Sequence, residues 1–157
     1  MQFVDKDGRR VDLDYRSACD VADGDHVLAL AIYKEQWLFT KHALRGIEFP
    51  GGKKEAGERS YDALCRELYE ETGGTIQQAY YIAQYEVHTG MNQSFKKDVY
   101  VVIVDAIHKR DDYLETLGPI SFKRIADIPQ EEQSYLLQDT TIVQCLERVY
   151  ELGFYKS

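Results

Sequence analysis

Residues 51–73 read GGKKEAGERSYDALCRELYEETG, a glycine-rich loop followed by a helix-forming stretch. Glycines at this density let the backbone approach a ligand closely. From residue 59 to residue 72, apolar side chains recur at the i, i+3, i+4 and i+7 spacing of an amphipathic helix, at Tyr61, Leu64, Cys65 and Leu68. Gly73 and Gly74 provide a stop signal, and Ser60 is the expected N-cap. The segment therefore predicts a ligand-facing loop followed by a helix.

The sequence before this segment predicts two β-hairpins. Apolar residues flank an Asp7-Gly8 turn, which is typical of a short N-terminal hairpin. The β-rich runs over residues 26–33 and 36–42 are separated only by Lys34 and Glu35. A loop over residues 44–58 then leads into the helix.

The sequence after the helix predicts three further strands and a second helix. Residues 79–88 and 98–107 are β-rich and joined by a polar loop, and residues 120–123 form a strand after a Gly118-Pro119 turn. Residues 131–152 have helical periodicity, with Leu136, Val143, Leu146 and Tyr150 on one side. Because no repeat or long linker interrupts the chain, we expect residues 1–157 to form one α+β domain. Its predicted architecture is a mixed β-sheet sandwiched between α-helices.

Composition and charge exclude several classes of protein. The 157 residues are 44% apolar and 29% charged, which is typical of a soluble domain. No stretch approaches the roughly 20 apolar residues of a membrane-spanning helix, and the first residues lack the pattern of an export signal. We therefore expect a cytoplasmic protein without a membrane partner. The net charge of −8 argues against binding to a DNA duplex, because such binding neutralises phosphates with Lys and Arg.

Other sequence signals are weak. The three cysteines are far apart and without a CxxC pair, so they indicate neither a disulfide framework nor a zinc site. The pattern of residues leaves the oligomeric state open.

Three glutamates on the predicted helix form the most informative chemical feature. Glu67, Glu70 and Glu71 are related by i, i+3 and i+4, so their side chains converge on one face. Like charges at this spacing cost about 0.2–0.5 kcal/mol per pair in an isolated helix. Carboxylate oxygens are ligands that suit Mg²⁺ or Mn²⁺ better than zinc. The spacing alone fits either a metal site or a solvated acidic face.

The residues around the glutamates favour the metal site. Gly52, five residues, Glu58, seven residues and then Arg66-Glu67-Leu68-Tyr69-Glu70-Glu71-Thr72-Gly73 resemble the signature Gx5Ex7REUxEExGU of the Nudix hydrolases, in which U is apolar. Gly74 departs from the pattern, which usually has an aliphatic residue there, and we interpret this as a difference in local packing. Residues 37–42, 45–53 and 115–122 resemble the YtkD branch of this superfamily, which is similar to the MutT-type enzymes and known from Gram-positive bacteria.

The resemblance implies a Nudix fold and a Mg²⁺-dependent pyrophosphohydrolase, with Mn²⁺ as a substitute. The implied substrate is a nucleoside triphosphate, including an oxidised one such as 8-oxo-dGTP, or the 5′-triphosphate end of an RNA. Hydrolysis of a phosphoanhydride requires positive charge on several phosphate oxygens and a water aimed at phosphorus, and divalent ions supply both. The alternative is a non-catalytic Nudix-fold module that binds nucleotide or protein. The three retained glutamates argue against that alternative.

The resemblance also implies roles for individual residues. The expected metal ligands are Glu67, Glu70, Glu71 and the backbone carbonyl of Gly51. Either Glu70 or Glu67 is the expected general base. Arg66 is expected to pair with Glu58 or another carboxylate and so to orient the catalytic groups. Glu115, which precedes the last predicted strand, is a candidate for a further metal ligand or base.

Substrate recognition requires cations for the phosphates and a surface for the base. Arg45 and Lys53 flank the glycine loop and Lys41 lies on the preceding strand, so these three are candidates for phosphate binding. The candidates for stacking on the base are Tyr33, Phe49, Tyr85 and Tyr100. A closed pocket with Asn or Asp at the base edge would favour a mononucleotide, and an open groove would favour RNA.

Overall fold

The computed structural model describes residues 1–156, which form nine strands, two α-helices and three 3₁₀ turns. The strands are β1 (Gln2–Val4), β2 (Arg10–Tyr15), β3 (His26–Tyr33), β4 (Gln36–His42), β5 (Gly46–Glu48), β6 (Gly51–Lys53), β7 (Gly74–Gly90), β8 (Gln93–Ile107) and β9 (Thr116–Phe122). The helices are α1 (Ser60–Thr72) and α2 (Thr140–Glu151), and the 3₁₀ turns are Ile125–Asp127, Gln130–Glu132 and Tyr135–Gln138. No helix within residues 1–156 combines the length and the hydropathy needed to cross a membrane.

All the strands belong to one mixed sheet. Its order is β1-β2-β7-β8-β3-β4-β5, with β6 paired to β3 and β9 paired to β4. The β3–β8 pair is parallel and the other pairs are antiparallel. The expected α+β class with a mixed sheet between helices is therefore confirmed.

The two helices cover opposite faces of the sheet. Leu28, Leu30 and Ile32 of β3 pack in the core on the α2 side, and the alternating residues Val27, Ala29 and Ala31 pack under α1. Because both faces are covered, β3 is apolar almost throughout rather than at every second residue. This arrangement holds α1 and its glutamates against the middle of the sheet.

The polar residues 89–97 do not form the predicted loop. β7 continues to Gly90 and β8 begins at Gln93, so only Met91 and Asn92 form the turn. The solvent-facing end of the β7–β8 pair forms a two-stranded ribbon. Its residues are polar because they face solvent and pair across the strands, as Glu86 does with Lys96.

The prediction of a turn at Gly118-Pro119 is also wrong, since both residues lie inside β9. Pro119 is tolerated there because β9, within the described residues, pairs only with β4 and needs no second row of hydrogen bonds. The predicted loop over residues 44–58 contains the short strands β5 and β6.

Helix α1 ends at Thr72 as predicted and begins at Ser60, one residue after the predicted start, but Ser60 is not its cap. The N-cap is Arg59, and the Ser60 hydroxyl donates instead to the buried carboxylate of Asp98 at 2.7 Å. Of the predicted apolar stripe, Leu64 and Leu68 are buried, whereas Tyr61 is exposed; Ala63, which was not predicted, joins the buried face.

The second helix starts later than the predicted residue 131. Residues 130–138 form two 3₁₀ turns, and α2 begins after Asp139, whose carboxylate accepts the Thr141 N–H at 2.9 Å. The buried face of α2 contains Ile142, Cys145, Leu146 and Val149. Val143, which was predicted to share one side of the helix with Leu146, is exposed.

Two glycines end α1. Gly73 adopts the left-handed conformation with φ of 75°, which glycine accepts without steric cost. The Gly74 N–H donates to the Thr72 hydroxyl at 3.0 Å, and a Cβ at Gly74 would lie 2.9 Å from that oxygen. The missing aliphatic side chain at Gly74 therefore reflects local packing around Thr72.

Candidate functional site

A cavity of about 350 Å³ lies between α1, the glycine loop and the segment before β9. Most of the site residues expected from the sequence line it, namely Arg45, Gly51, Lys53, Glu67, Glu70, Glu71 and Glu115. Two others lie elsewhere. Arg66 is in contact with the glutamates, and the Lys41 ammonium lies 3.5 Å from a carboxylate oxygen of Glu132.

Strand β6 brings the glycine loop against the glutamates of α1. The Gly51 N–H donates to Oε1 of Glu71 at 3.3 Å. A Cβ on Gly52 would lie 2.5 Å from the carboxyl carbon of Glu67, so a larger residue at this position would displace that carboxylate. The close approach expected from the glycine content therefore occurs at the acidic face of the helix.

Arg66 joins the glycine loop to the carboxylates. Its guanidinium donates to both oxygens of Glu58, at 2.8 and 2.9 Å, and to the Lys53 carbonyl oxygen at 3.0 Å. It also donates to Glu67 at 2.9 Å and to Glu70 at 3.2 Å. The pairing with Glu58 agrees with the expectation from the sequence. A planar guanidinium with five N–H donors can hold all these oxygens in one arrangement.

Two of the carboxylates that line the cavity, Glu67 and Glu71, have raised pKa values. Burial, together with the nearby carboxylate of Glu67, raises the pKa of Glu71 to about 9. Burial also raises the pKa of Glu67, although Arg66 opposes this shift. A divalent cation among these oxygens would offset both the burial and the repulsion. Because the donors are hard carboxylate oxygens, the site fits Mg²⁺ or Mn²⁺.

Arg45 reaches the cavity as part of an ion pair with the buried Glu48, which the sequence did not predict. Its guanidinium donates to both oxygens of Glu48, at 3.1 and 2.7 Å, and the Ser134 hydroxyl donates to Glu48 at 2.8 Å. These hydrogen bonds raise the pKa of Arg45. The only sequence signal for Glu48 is its spacing of three residues from Arg45, since its neighbours Ile47 and Phe49 are apolar.

His42 is a second residue that the sequence analysis did not assign to the site. Its Nδ1 accepts the backbone N–H groups of Leu44 and Arg45, both at 3.1 Å. These bonds fix the turn that carries Arg45. On the other side of the cavity, Glu115 follows Leu114, which has a φ of 60°. An apolar side chain rarely adopts this conformation, so the backbone next to Glu115 is strained.

A different group of ligand-type side chains lies on the sheet. Asp12, Glu86 and His88 have side-chain atoms within 4.8 Å of one another. They come from β2 and β7, which are distant in sequence, and no motif predicts them. His88 Nε2 lies 2.7 Å from Asp12, and the Arg10 guanidinium lies 3.1 Å from the same nitrogen. Arg10 therefore already supplies a positive charge at this position.

Sequence similarity to known proteins extends over the glycine loop, α1 and the residues that line the cavity. The NUDIX domain family model matches residues 22–128. The chain is 33% identical over 131 residues, 82% of each chain, to YtkD of Bacillus subtilis (strain 168), which is provisionally named an 8-oxo-dGTP diphosphatase. A crystal structure of the Bacillus subtilis pyrophosphohydrolase BsRppH, with one glutamate changed to alanine, is 29% identical and has a TM-score of 0.89 over 99% of both chains.

A more distant structure shares the fold. The NUDIX hydrolase from Nitrosomonas europaea is 22% identical and has a TM-score of 0.57, over 84% of this chain and 90% of that chain. This chain therefore shares its fold with that protein.

Proposed function

Since the chain belongs to the NUDIX family, and is a Nudix hydrolase, we propose that it is a Mg²⁺-dependent pyrophosphohydrolase of nucleoside triphosphates, of triphosphorylated RNA ends, or of both. One observation carries the proposal: Glu67, Glu70 and Glu71 line a single cavity together with Arg45 and Lys53. Acidic ligands for a metal and basic groups for phosphates are the two requirements of phosphoanhydride hydrolysis. Nothing supports the alternative of a non-catalytic module.

The carboxylates of α1 carry the proposed chemistry. Glu67, Glu70 and Glu71 and the Gly51 carbonyl would hold Mg²⁺, which supplies positive charge to the phosphate oxygens and lowers the pKa of a coordinated water. Glu70 or Glu67 would accept the proton of the attacking water. Arg66 touches both side chains and would position them through hydrogen bonds rather than contact the substrate. Glu115 would add a further carboxylate from the opposite wall.

The basic residues of the cavity have separate expected roles. Lys53 would neutralise phosphate oxygens beside the glycine loop. Arg45 would offer the N–H groups that Glu48 does not use. The contact of Lys41 with Glu132 makes it the weakest of the three phosphate-binding candidates.

The substrates follow from the names of the two similar proteins. YtkD is named for 8-oxo-dGTP and BsRppH for pyrophosphohydrolysis. We propose that this chain acts on the shared element, a 5′-triphosphate on a nucleoside. The cytoplasmic location stays a prediction from the sequence.

Product release tests the proposal. Pyrophosphate and orthophosphate are measured with dGTP, 8-oxo-dGTP and a short 5′-triphosphorylated RNA, each with Mg²⁺, with Mn²⁺ and with EDTA. We expect pyrophosphate from at least one substrate, and only with a divalent ion. No release from any of them, or equal release in EDTA, would overturn the proposal.

The glutamine variant of Glu71 is expected to be more stable than the wild type without metal. The folded-state pKa of Glu71 is about 9 against an ordinary value of 4.5, so wild-type stability falls as the pH rises through that window. Glutamine does not titrate, and E71Q should gain about 1–3 kcal/mol at pH 8 and little near pH 4. Urea unfolding in EDTA at several pH values measures the difference.

The same variant should lose its response to metal. Mg²⁺ binds only the folded wild type and should raise its Tm, whereas E71Q should show little change. If the stability gain of E71Q over the wild type were no larger at pH 8 than at pH 4, that result would contradict the assigned burial of Glu71. A full Mg²⁺ response would remove Glu71 from the metal ligands.

A further inference from the structure

One histidine ring holds the turn between β4 and β5, residues 43–45, from which Arg45 reaches the catalytic cavity. Nδ1 of His42 accepts the backbone N–H groups of Leu44 and Arg45, both at 3.1 Å. A ring nitrogen that accepts hydrogen bonds carries no proton, so the proton of the neutral ring lies on Nε2. The ring is buried and lines the cavity. His42 therefore acts on the turn as a hydrogen-bond acceptor.

The N–H groups in the middle of this turn depend on His42. The Ala43 N–H donates to the carbonyl oxygen of Glu115 at 3.3 Å, which ties the start of the turn to the segment before β9. Within residues 1–156, the N–H groups of Leu44 and Arg45 bond to no backbone carbonyl. The Leu44 side chain is 92% exposed, so packing does not hold this part of the turn either. The His42 ring is thus the acceptor that fixes the backbone of Arg45.

The other end of Arg45 is fixed separately. Its guanidinium donates through Nε and Nη2 to the two carboxylate oxygens of the buried Glu48, at 3.1 and 2.7 Å. A guanidinium has five N–H donors, so three remain for a ligand. The Arg45 side chain is 42% exposed and lines the cavity, where these donors are accessible. Because one anchor holds the guanidinium and the other holds the backbone, both determine where the three donors point.

We propose that His42 is a positioning residue for phosphate binding, which holds the turn so that the remaining N–H groups of Arg45 meet the phosphates of the substrate. The proposal rests on the proposed function, because it requires Arg45 to bind phosphate. A side chain without an acceptor at position 42 would leave the N–H groups of Leu44 and Arg45 unpaired, and the turn would leave its position. Arg45 would then bind phosphate less tightly, although its own charge is unchanged.

Two substitutions of His42 separate the acceptor from the rest of the ring. Oδ1 of asparagine takes the place of Nδ1 and accepts the same two bonds, whereas leucine has a similar size and no acceptor. Amide hydrogen exchange measures the two bonds directly. We expect the Leu44 and Arg45 amides to be protected in the wild type and in His42→Asn, and to exchange at least about tenfold faster in His42→Leu. Unprotected amides in the wild type would overturn the proposal without any variant.

A double-mutant cycle tests whether His42 acts through Arg45. We expect His42→Leu to lower kcat/KM for the triphosphate substrate about tenfold, and His42→Asn to stay within about threefold of the wild type. When His42→Leu is added to Arg45→Met, the further loss should be less than about twofold, because the positioned residue is already gone. His108→Leu, at an exposed histidine, is the matched control and should leave kcat/KM unchanged. Thermal unfolding checks that each variant folds.

Two kinetic results would overturn the proposal. One is a pair of losses, from His42→Leu and from Arg45→Met, that multiply in the double variant, since His42 would then act independently of Arg45. The other is a His42→Asn protein whose amides are protected but whose kcat/KM is about tenfold below the wild type, since the ring itself would then be required. The second result decides the matter even if His42→Leu does not fold.

Binding of inorganic triphosphate separates this proposal from the proposed function. Calorimetry in EDTA measures its Kd without turnover for the same variants. If the wild type hydrolyses no triphosphate, but His42→Leu weakens this binding and adds nothing to Arg45→Met, the positioning role stands and the proposed function fails. If triphosphates are hydrolysed and the two losses multiply, the proposed function stands and the positioning role fails.

Discussion

Replacement of Glu70 by glutamine is expected to lower kcat by about 10²–10⁴-fold while the fold is retained. Glu70 lines the cavity, and its carboxylate accepts a hydrogen bond from Arg66 at 3.2 Å. Glutamine keeps the size of the side chain and an acceptor oxygen, but it loses the charge that would hold Mg²⁺ or take a proton. Because like-charge repulsion also falls, the Tm should be unchanged or higher. Steady-state kinetics and thermal unfolding measure the two effects.

Two further variants serve as comparisons for the effect of Glu70→Gln on kcat. Glu147→Gln removes an exposed carboxylate from α2 and should change neither kcat nor the Tm. Glu67→Gln, measured beside Glu70→Gln, separates the general base from a metal ligand. Both variants should bind Mg²⁺ more weakly, and the variant that lacks the base should have the lower kcat at saturating Mg²⁺. A fully active Glu70→Gln enzyme would exclude Glu70 from the metal site and from catalysis.

Replacement of Arg66 by alanine is expected to damage stability and catalysis together. The side chain is 21% exposed and makes hydrogen bonds to Glu58, Glu67 and Glu70. Its removal leaves these carboxylates without their shared cation, which costs about 2–3 kcal/mol after allowance for solvent screening. We also expect kcat to fall at least about tenfold, because Glu67 and Glu70 lose the group that orients them. Urea unfolding and kinetics measure both losses.

Controls distinguish orientation from simple loss of charge. Arg66→Lys keeps the charge but cannot hold both oxygens of Glu58, so it should recover only part of either loss. Arg59→Ala breaks an exposed pair with Asp62 and should leave the stability almost unchanged. If Arg66→Ala raised KM and left kcat and stability intact, Arg66 would be a substrate contact rather than an orienting residue.

The residues of α1 could be predicted from the sequence because they lie on one continuous helix. Their spacing alone places Glu67, Glu70 and Glu71 on a shared face, and the glycines before them indicate a close backbone approach. The boundaries of β3 and β4 were equally clear, since a two-residue connection separates two apolar runs.

The cavity of about 100 Å³ on the α2 side of the sheet, which Phe49, Tyr85 and Lys97 line, could not be predicted from the sequence, because it depends on pairing between distant segments. Lys97 lies beside Tyr85 only through the β7–β8 register, and Asp139 comes from the turn before α2. Of the four aromatic residues considered for base stacking, Phe49 and Tyr85 line this cavity. Tyr100 instead bonds to Ser60 under α1.

Two errors in the predicted elements have a common cause. The polar residues at the end of the β7–β8 ribbon were interpreted as a loop, although they pair across strands in solvent. The stretch before α2 has helical periodicity but is divided into 3₁₀ turns, with Ser134 held by Glu48. In both places a tertiary contact overrides the local pattern.

Anomalous diffraction from a crystal soaked in Mn²⁺ tests the central claim most directly, because it locates the metal without reference to activity. The account predicts a peak bound by carboxylate oxygens of Glu67, Glu70 and Glu71 beside Gly51. Among residues 1–156, Asp12, Glu86 and His88 form a separate cluster whose side-chain ligand atoms lie within 4.8 Å of one another. A peak at that cluster, with none at α1, would contradict the account.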